Sequence, residues 1–142
     1  MKVKELMQTK VKTVSPEDKV DKVFLLFNFE RIRHLPVVEK KKVVGIVSDR
    51  DLKKMMGSLK TRKVFTQKGE TYVTLKSRKV KTFMSRGVVT ISPNAEAVEA
   101  AALMAKRKIG GLPVVKGGVL VGIITATDIL RAYVKLAQSV GI

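Results

Sequence analysis

The sequence predicts a mixed α/β (α+β) fold built from two copies of one unit, and three observations lead to that prediction. Residues 3–54 align without a gap with residues 80–131. Within each copy, helix-start signals alternate with short apolar runs of strand length. The chain is 45% hydrophobic, which is a globular composition. Because one copy is too short to bury a core alone, we expect the two copies to pack together with pseudo-twofold symmetry.

Each copy opens with a short helical segment and a β-type run. The helical segments are 3–7 and 80–84, and the β-type runs are 11–14 and 88–91. A serine, a proline and nearby acidic residues follow at 15–18 and 92–96, and this pattern predicts a helix start. Apolar residues at helical spacing then predict a buried stripe. The stripe residues are Val20, Val23, Phe24 and Phe27 in the first copy, and Ala97, Ala100, Ala101 and Met104 in the second.

Two apolar strands joined by a turn follow the helix, which is predicted to end near Arg31 and Lys108. The first strands are 35–38 and 112–115, and each carries a proline near its start, where strands tolerate it. The turns are 40–42 and 116–118. The second strands, 43–47 and 119–124, are continuously apolar, which indicates burial on both faces. A second helix is predicted after Ser48 and after Thr125.

The repeat divides the chain into three parts. The first copy occupies 1–56, and the second occupies 80–142 with an extended C-terminal helix. The basic segment 57–79 belongs to neither copy. Within it, two β-type runs flank a turn at Gly69, which is the pattern of an exposed β-hairpin. A flexible basic linker is the alternative.

The composition narrows the class of protein and its partners. The formal net charge is +17, from 29 Lys and Arg against 12 Asp and Glu. Such a charge attracts polyanions or nucleotide phosphates, or it belongs to a lysine-rich solvated surface. There is no cysteine, so no disulfide or thiol nucleophile is available. No apolar run reaches the ~18 residues that cross a bilayer, and no secretory signal opens the chain, so we expect a cytoplasmic protein without membrane insertion.

One four-residue motif occurs at the same place in both copies. Ser48 precedes Asp51, and Thr125 precedes Asp128, by three positions where an apolar strand gives way to a helix. The structural interpretation is a capping box. The functional interpretation is a carboxylate that accepts hydrogen bonds from the two hydroxyls of a ribose, beside helix amides suited to phosphate. The tetrapeptide alone leaves both interpretations open.

The ordered set of motifs resembles the cystathionine-β-synthase-type domain, or CBS domain, and it is matched twice, as in a stand-alone CBS pair. The matching residues are Met7 and Met84, Ser15-Pro16 and Ser92-Pro93, Leu35-Pro36-Val37-Val38 and Leu112-Pro113-Val114-Val115, Gly45-Ile46 and Gly122-Ile123, and Asp51 and Asp128. The resemblance implies β-α-β-β-α repeats whose sheets face each other. It also implies two clefts that take AMP, ADP, ATP or S-adenosylmethionine.

Carried over by position, the resemblance implies matching nucleotide contacts in both copies. Asp51 and Asp128 would hold ribose, and Ser48 and Thr125 would contact ribose or phosphate. Adenine would be bordered by Thr13, Val14, His34, Leu35, Pro36, Thr90, Ile91, Gly111, Leu112 and Pro113. Arg33, His34 and Arg50 are candidates for phosphate contact, with solvated surface as the alternative for the arginines. His34 is the only histidine, so no transition-metal site is expected.

These features favour a non-catalytic adenine-nucleotide sensor that regulates an unidentified protein target in trans, for instance in energy sensing. The resemblance implies a homodimer formed through helices. No cofactor is expected beyond the regulatory nucleotide. The alternative is a nucleic-acid-binding protein that uses the basic segment, where Phe65 and Tyr72 accompany the charges. An enzyme is disfavoured because no nucleophile–base arrangement is present.

Overall fold

The protein has the predicted mixed α+β fold in a computed structural model, which describes residues 1–30, 32–62 and 78–141, with side chains except at 56–62. The elements are α1 (Val3–Leu6), α2 (Val20–Phe29), β1 (His34–Glu39), β2 (Lys42–Ser48), α3 (Asp49–Arg62), a 3₁₀ turn (Val80–Thr82), α4 (Ala97–Arg107), β3 (Gly111–Lys116), β4 (Val119–Thr125) and α5 (Ala126–Ser139). Helix α3 continues to Arg62, inside the segment predicted as a linker. The predicted hairpin around Gly69 lies outside the described residues.

The chain forms two compact units that are not the two sequence repeats. Unit 1 consists of Met1–Val11 and Val89–Ile142, and unit 2 consists of Lys12–Val88. We call residues 1–8 and 78–85 the lead-ins of the first and second copy, and the residues of each copy that follow its lead-in the body of that copy. Each unit therefore joins the body of one copy to the lead-in of the other.

In unit 1 the first lead-in docks on the body of the second copy. The Val3 amide donates to the Ala95 carbonyl at 2.9 Å, and the Ala97 amide donates to the Met1 carbonyl at 2.8 Å. The Val3 side chain is fully buried in a cluster that includes Leu112. The lead-in thus supplies part of the core of unit 1.

In unit 2 the second lead-in docks on the body of the first copy in the same way. The Val80 amide donates to the Asp18 carbonyl at 2.8 Å, and the Val20 amide donates to the Arg78 carbonyl at 2.9 Å. The Val80 side chain is fully buried with Leu35 in the core of this unit. This exchange of lead-ins joins segments that are far apart in sequence, and the repeat pattern alone does not predict it.

The exchange explains why the predicted helix starts at 15–18 and 92–96 are wrong. The helices begin later, at Val20 and Ala97. The Ser-Pro segments instead form turns. In the first copy the Asp18 amide donates a hydrogen bond to the Ser15 carbonyl at 3.0 Å, and in the second copy the Ala95 amide donates to the Ser92 carbonyl at 3.1 Å. The residues just before each helix are extended because they pair with a lead-in, and that pairing overrides the local helix signal.

The β-type runs at 11–14 and 88–91 are reduced to single bridges. Val14 pairs in parallel with Val37, and Ile91 pairs in parallel with Val114. The Val14 amide donates to the Pro36 carbonyl at 3.1 Å. The next ladder bonds on either side would need amide hydrogens from Pro16 and Pro36, which proline lacks. The same prolines recur in the second copy, so neither ladder extends.

The two hairpins confirm the predicted strands and turns. Strand β1 pairs antiparallel with β2, and β3 pairs antiparallel with β4. Both turns have two residues with positive φ, which are 51° and 67° at Lys40 and Lys41, and 58° and 82° at Gly117 and Gly118. This geometry suits glycine and is strained for lysine.

Burial follows the predicted core with two differences. Val20, Val23, Ala100 and Met104 are buried, whereas Phe24 is 42% exposed. The second strands are predicted to be buried on both faces, but in β2 only Gly45 and Val47 are buried and the other residues remain partly accessible or exposed.

Candidate functional site

Each unit has a junction where a hairpin meets the N-terminus of a long helix. In unit 2, strand register places His34 opposite Ser48, and the Asp49 amide donates to the Arg33 carbonyl at 3.1 Å. These contacts hold the start of β1 beside the first turn of α3. The helix amides that have no helical partner therefore lie next to the residues that precede Pro36.

The junction in unit 1 has the same backbone plan. Gly111 lies opposite Thr125, and the Ala126 amide donates to the Gly110 carbonyl at 2.9 Å. The start of β3 is thereby held beside the first turn of α5. The predicted ribose and phosphate residues of each copy are thus brought together within one unit.

Both aspartates complete a capping box, as the structural interpretation predicts. Asp51 Oδ2 accepts from the Ser48 amide at 2.9 Å and from Ser48 Oγ at 3.1 Å, and the Asp51 amide donates to Ser48 Oγ at 3.2 Å. Asp128 Oδ2 accepts from the Thr125 amide at 2.9 Å and from Thr125 Oγ1 at 3.0 Å, and the amide of Asp128 donates back at 3.3 Å. Capping occupies one carboxylate oxygen and leaves the other available for a further role.

The second carboxylate oxygen distinguishes the two junctions. Asp128 Oδ1 accepts from Gln8 Nε2 at 3.2 Å. Asp51 Oδ1 has no hydrogen-bond partner among the described protein groups. Asp128 is 8% exposed, and among the described residues it is the only charged residue that is buried. Asp51 is half-buried. Sequence reasoning missed Gln8, although the repeat, in which Met7 recurs as Met84, already indicated that the preceding residues are structured.

The residues predicted to border adenine lie near each junction, with most of their side chains in the core. Backbone pairing with β1 holds Val14, and pairing with β3 holds Ile91. Leu35, Pro36, Leu112 and Pro113 are fully buried. Contact with a ligand from these four positions would therefore come from the backbone. Thr13 and His34 are half-buried and Thr90 is exposed, so their side chains remain accessible.

Charge is concentrated at the junction in unit 2. Burial lowers the pKa of His34; Asp49 and Asp51 oppose this shift and Arg33 adds to it, so these charged groups lie close to the imidazole. Arg33 and Arg50 are exposed.

The matching positions in unit 1 carry no ionisable side chain. Gly110 and Gly111 replace Arg33 and His34, and Thr127 replaces Arg50. Glycine also lets a ligand approach the backbone closely. The two junctions therefore share a scaffold and differ in charge.

Metal binding, membrane crossing and nucleic-acid binding concern other features of the chain. Across residues 1–30, 32–62 and 78–141, no three His, Asp or Glu side chains are grouped so as to hold a metal ion. Among the same residues, no helix is both long and apolar enough to cross a membrane. Phe65 and Tyr72, on which the nucleic-acid alternative depends, lie outside the described residues.

Comparison with known proteins gives a consistent family assignment. The CBS domain profile matches residues 3–58 and 80–135. A CBS domain-containing protein of Dictyostelium discoideum is 34% identical, and the alignment covers 97% of this chain and 94% of that protein.

Two solved structures have the same fold. A structure described as an acetoin utilization protein (AcuB) from Vibrio cholerae superposes with a TM-score of 0.80 at 32% identity, covering 97% of this chain and 93% of that one. CBSX2, solved in complex with AMP, superposes with a TM-score of 0.77 at 26% identity, covering 95% and 97% of the two chains.

Proposed function

Since the chain belongs to the CBS domain family, with one CBS domain matched in each sequence repeat, we propose that it is a non-catalytic regulatory module that binds adenine nucleotides. Its likeness to CBSX2, which was solved with AMP, supports this ligand class. The candidates are AMP, ADP, ATP and S-adenosylmethionine. Binding would bias the conformation of the module and so act on a protein target in trans.

The observation that carries the proposal is the duplicated aspartate at a hairpin–helix junction. In both units the cap engages Oδ2 of the aspartate, so Oδ1 is the oxygen left for ribose hydroxyls, and at Asp128 this oxygen also accepts from Gln8 Nε2. A hydrogen bond to an ionised carboxylate is about twice as strong as one between neutral groups. Asp51 and Asp128 are therefore assigned to ribose, and Ser48 and Thr125 to the helix start that faces ribose or phosphate.

The remaining predicted residues divide between adenine and phosphate. We assign the adenine border to backbone and side chains of the two segments at each junction. These are Thr13, Val14, His34, Leu35 and Pro36 in unit 2, and Thr90, Ile91, Gly111, Leu112 and Pro113 in unit 1. Arg33, His34 and Arg50 are assigned to phosphate, so the unit 2 site suits a nucleoside polyphosphate better than the unit 1 site does.

A homodimer forms part of the proposal. Helix α5 exposes Leu130, Tyr133, Val134 and Leu136, each more than half accessible. An apolar face of this kind on a soluble chain favours pairing with another copy. A cytoplasmic location and a role in energy sensing complete the proposed function.

Thermal unfolding in the presence of nucleotide tests the proposal. A ligand at 100 times its dissociation constant stabilises the folded state by about 2.7 kcal/mol, so AMP, ADP, ATP or S-adenosylmethionine should raise Tm by several degrees. Inorganic pyrophosphate is the control for charge alone. A Tm unchanged by all four ligands at millimolar concentration contradicts the proposal. Binding to oligonucleotides with steep salt dependence would instead support the nucleic-acid alternative.

A further inference from the structure

The side chain of Gln8 distinguishes the two aspartate sites, although the backbone around it is the same in both units. The Gln8 amide donates to the Ile123 carbonyl at 2.8 Å, and the Ile123 amide donates to the Gln8 carbonyl at 2.9 Å. A Cβ added at Gly122 would lie 2.7 Å from Met7 Sδ and 2.9 Å from the backbone carbonyl oxygen of Gln8. The first lead-in is therefore fixed closely against β4, and this packing places the Gln8 side chain within hydrogen-bond distance of Asp128.

Ser85 occupies the same backbone position in unit 2. Its amide donates to the Ile46 carbonyl at 2.9 Å, and the Ile46 amide donates back at 3.0 Å. Gly45 makes the same close approach, since an added Cβ would lie 2.5 Å from Met84 Sδ. The Ser85 side chain is shorter than that of glutamine and makes no hydrogen bond with Asp51. The chain thus contains its own comparison for the effect of one side chain.

Counting the acceptors gives this difference a chemical consequence. A carboxylate oxygen accepts about two hydrogen bonds. Capping fills Oδ2 in both aspartates. With respect to the described residues, Oδ1 of Asp51 therefore retains two acceptor positions, and Oδ1 of Asp128 retains one while Gln8 Nε2 is bound at 3.2 Å. Since a carboxylate has no hydrogen to donate, the NH₂ group of Gln8 is the side that faces it.

We propose that Gln8 determines ribose selectivity at Asp128, an inference that rests on the proposed nucleotide function. A ribose has two vicinal hydroxyls to donate, and Asp51 can accept both. Asp128 accepts one unless the ligand displaces Gln8. The unit 1 site therefore distinguishes ribose from 2′-deoxyribose weakly, and the unit 2 site distinguishes them strongly.

Reciprocal substitutions test this inference. Gln8→Ser gives unit 1 the side chain of unit 2, and Ser85→Gln makes the opposite change at an exposed position. Each is measured with AMP and 2′-deoxy-AMP by isothermal titration calorimetry. Asp51→Asn isolates the unit 1 site, and Asp128→Asn isolates the unit 2 site.

The expected result is a change in the ratio of the two affinities. Gln8→Ser should tighten AMP binding at Asp128 about tenfold and leave 2′-deoxy-AMP unchanged, because one charge-assisted hydrogen bond is gained. Ser85→Gln should weaken AMP binding at Asp51 by about the same factor, again without changing 2′-deoxy-AMP.

The other outcomes separate two kinds of failure. Equal changes for both nucleotides, or no change, in Gln8→Ser would mean that Gln8 only holds the lead-in, and the inference would be wrong while the proposed function stands. If Gln8→Ser does not fold, Ser85→Gln decides the question on the same criterion. Absence of binding of AMP and 2′-deoxy-AMP to the unsubstituted protein would overturn this inference, and absence of binding of ADP, ATP and S-adenosylmethionine as well would overturn the proposed function.

Discussion

The two hairpin–helix junctions have matching backbone hydrogen bonds and different side chains around them. At both, a capping aspartate closes onto a serine or threonine at nearly equal distances. Around Asp51 lie Arg33 and Arg50, whereas a glutamine reaches Asp128 and glycines replace the charged neighbours. Features shared by the two copies build the scaffold, and features that differ are where ligand preference can be set.

The exchange of lead-ins supplies the largest expected effect on stability. Val3→Ala removes two methyl groups from the core of unit 1, and Val80→Ala removes two from unit 2. Each should lower the free energy of unfolding by about 2–3 kcal/mol through lost burial and a residual cavity. Hydrogen exchange locates the effect. Val3→Ala should reduce protection in 111–125, and loss of protection confined to 34–48 would show that the lead-in belongs to the other unit.

The charge difference between the junctions predicts a difference in phosphate preference. The Arg33→Ala, Arg50→Ala double variant should weaken ATP binding about tenfold at the unit 2 site, through lost charge-assisted bonds, and leave adenosine nearly unchanged. Thr127→Ala is the matched control in unit 1. Titrations with ATP and adenosine measure the ratio, and an equal loss for both ligands would show that the arginines do not contact phosphate.

The hairpin turns differ in strain. Lys40 and Lys41 adopt the left-handed conformation that glycine occupies in the other hairpin. Replacing the two lysines by Asn-Gly should stabilise the protein by about 1 kcal/mol, because that pair suits a type I′ turn. Gly117→Ala should destabilise it by a similar amount. Urea denaturation checks both changes, and opposite signs would contradict the assigned turn geometry.

The smallest effect concerns the ion pairs of the second lead-in. Lys79 at 2.6 Å and Lys81 at 2.9 Å hydrogen-bond to Glu17 and lower its pKa from 4.5 to about 2. Because the folded-state pKa lies below the unfolded value, this contribution is present above about pH 4.5 and is lost as pH falls toward about 2. Glu17→Gln should make the free energy of unfolding depend less on pH in that window, which acid titration followed by circular dichroism measures. A pH profile unchanged by the substitution would show that these exposed pairs contribute nothing measurable.

Local sequence signals predicted the elements that local interactions stabilise. The hairpins, their turns and the helix starts at Ser48 and Thr125 are confirmed, since apolar runs, turn residues and caps lie within a few positions of one another. The CBS resemblance is likewise confirmed by the match to both copies.

The predictions that are wrong concern positions where distant segments meet. Helix α2 starts after Asp18 because the second lead-in pairs with that residue, and the β-type runs stop at prolines on two different segments. The contact of Gln8 with Asp128 arises in the same way, through a lead-in bound to β4. No local pattern could place these groups together, because the repeat shows which segments are alike and not which segments exchange partners.

Calorimetric titration of AMP into the unsubstituted protein, Asp51→Asn, Asp128→Asn and the double variant tests the central claim most directly. The account predicts two sites, with each single substitution weakening one site about 10–100-fold through loss of charge-assisted hydrogen bonds. Circular dichroism confirms that each variant is folded, since losing the cap alone costs about 0.5–2 kcal/mol of stability. A folded double variant that binds AMP as tightly as the unsubstituted protein would show that the aspartates only cap their helices and do not bind ribose.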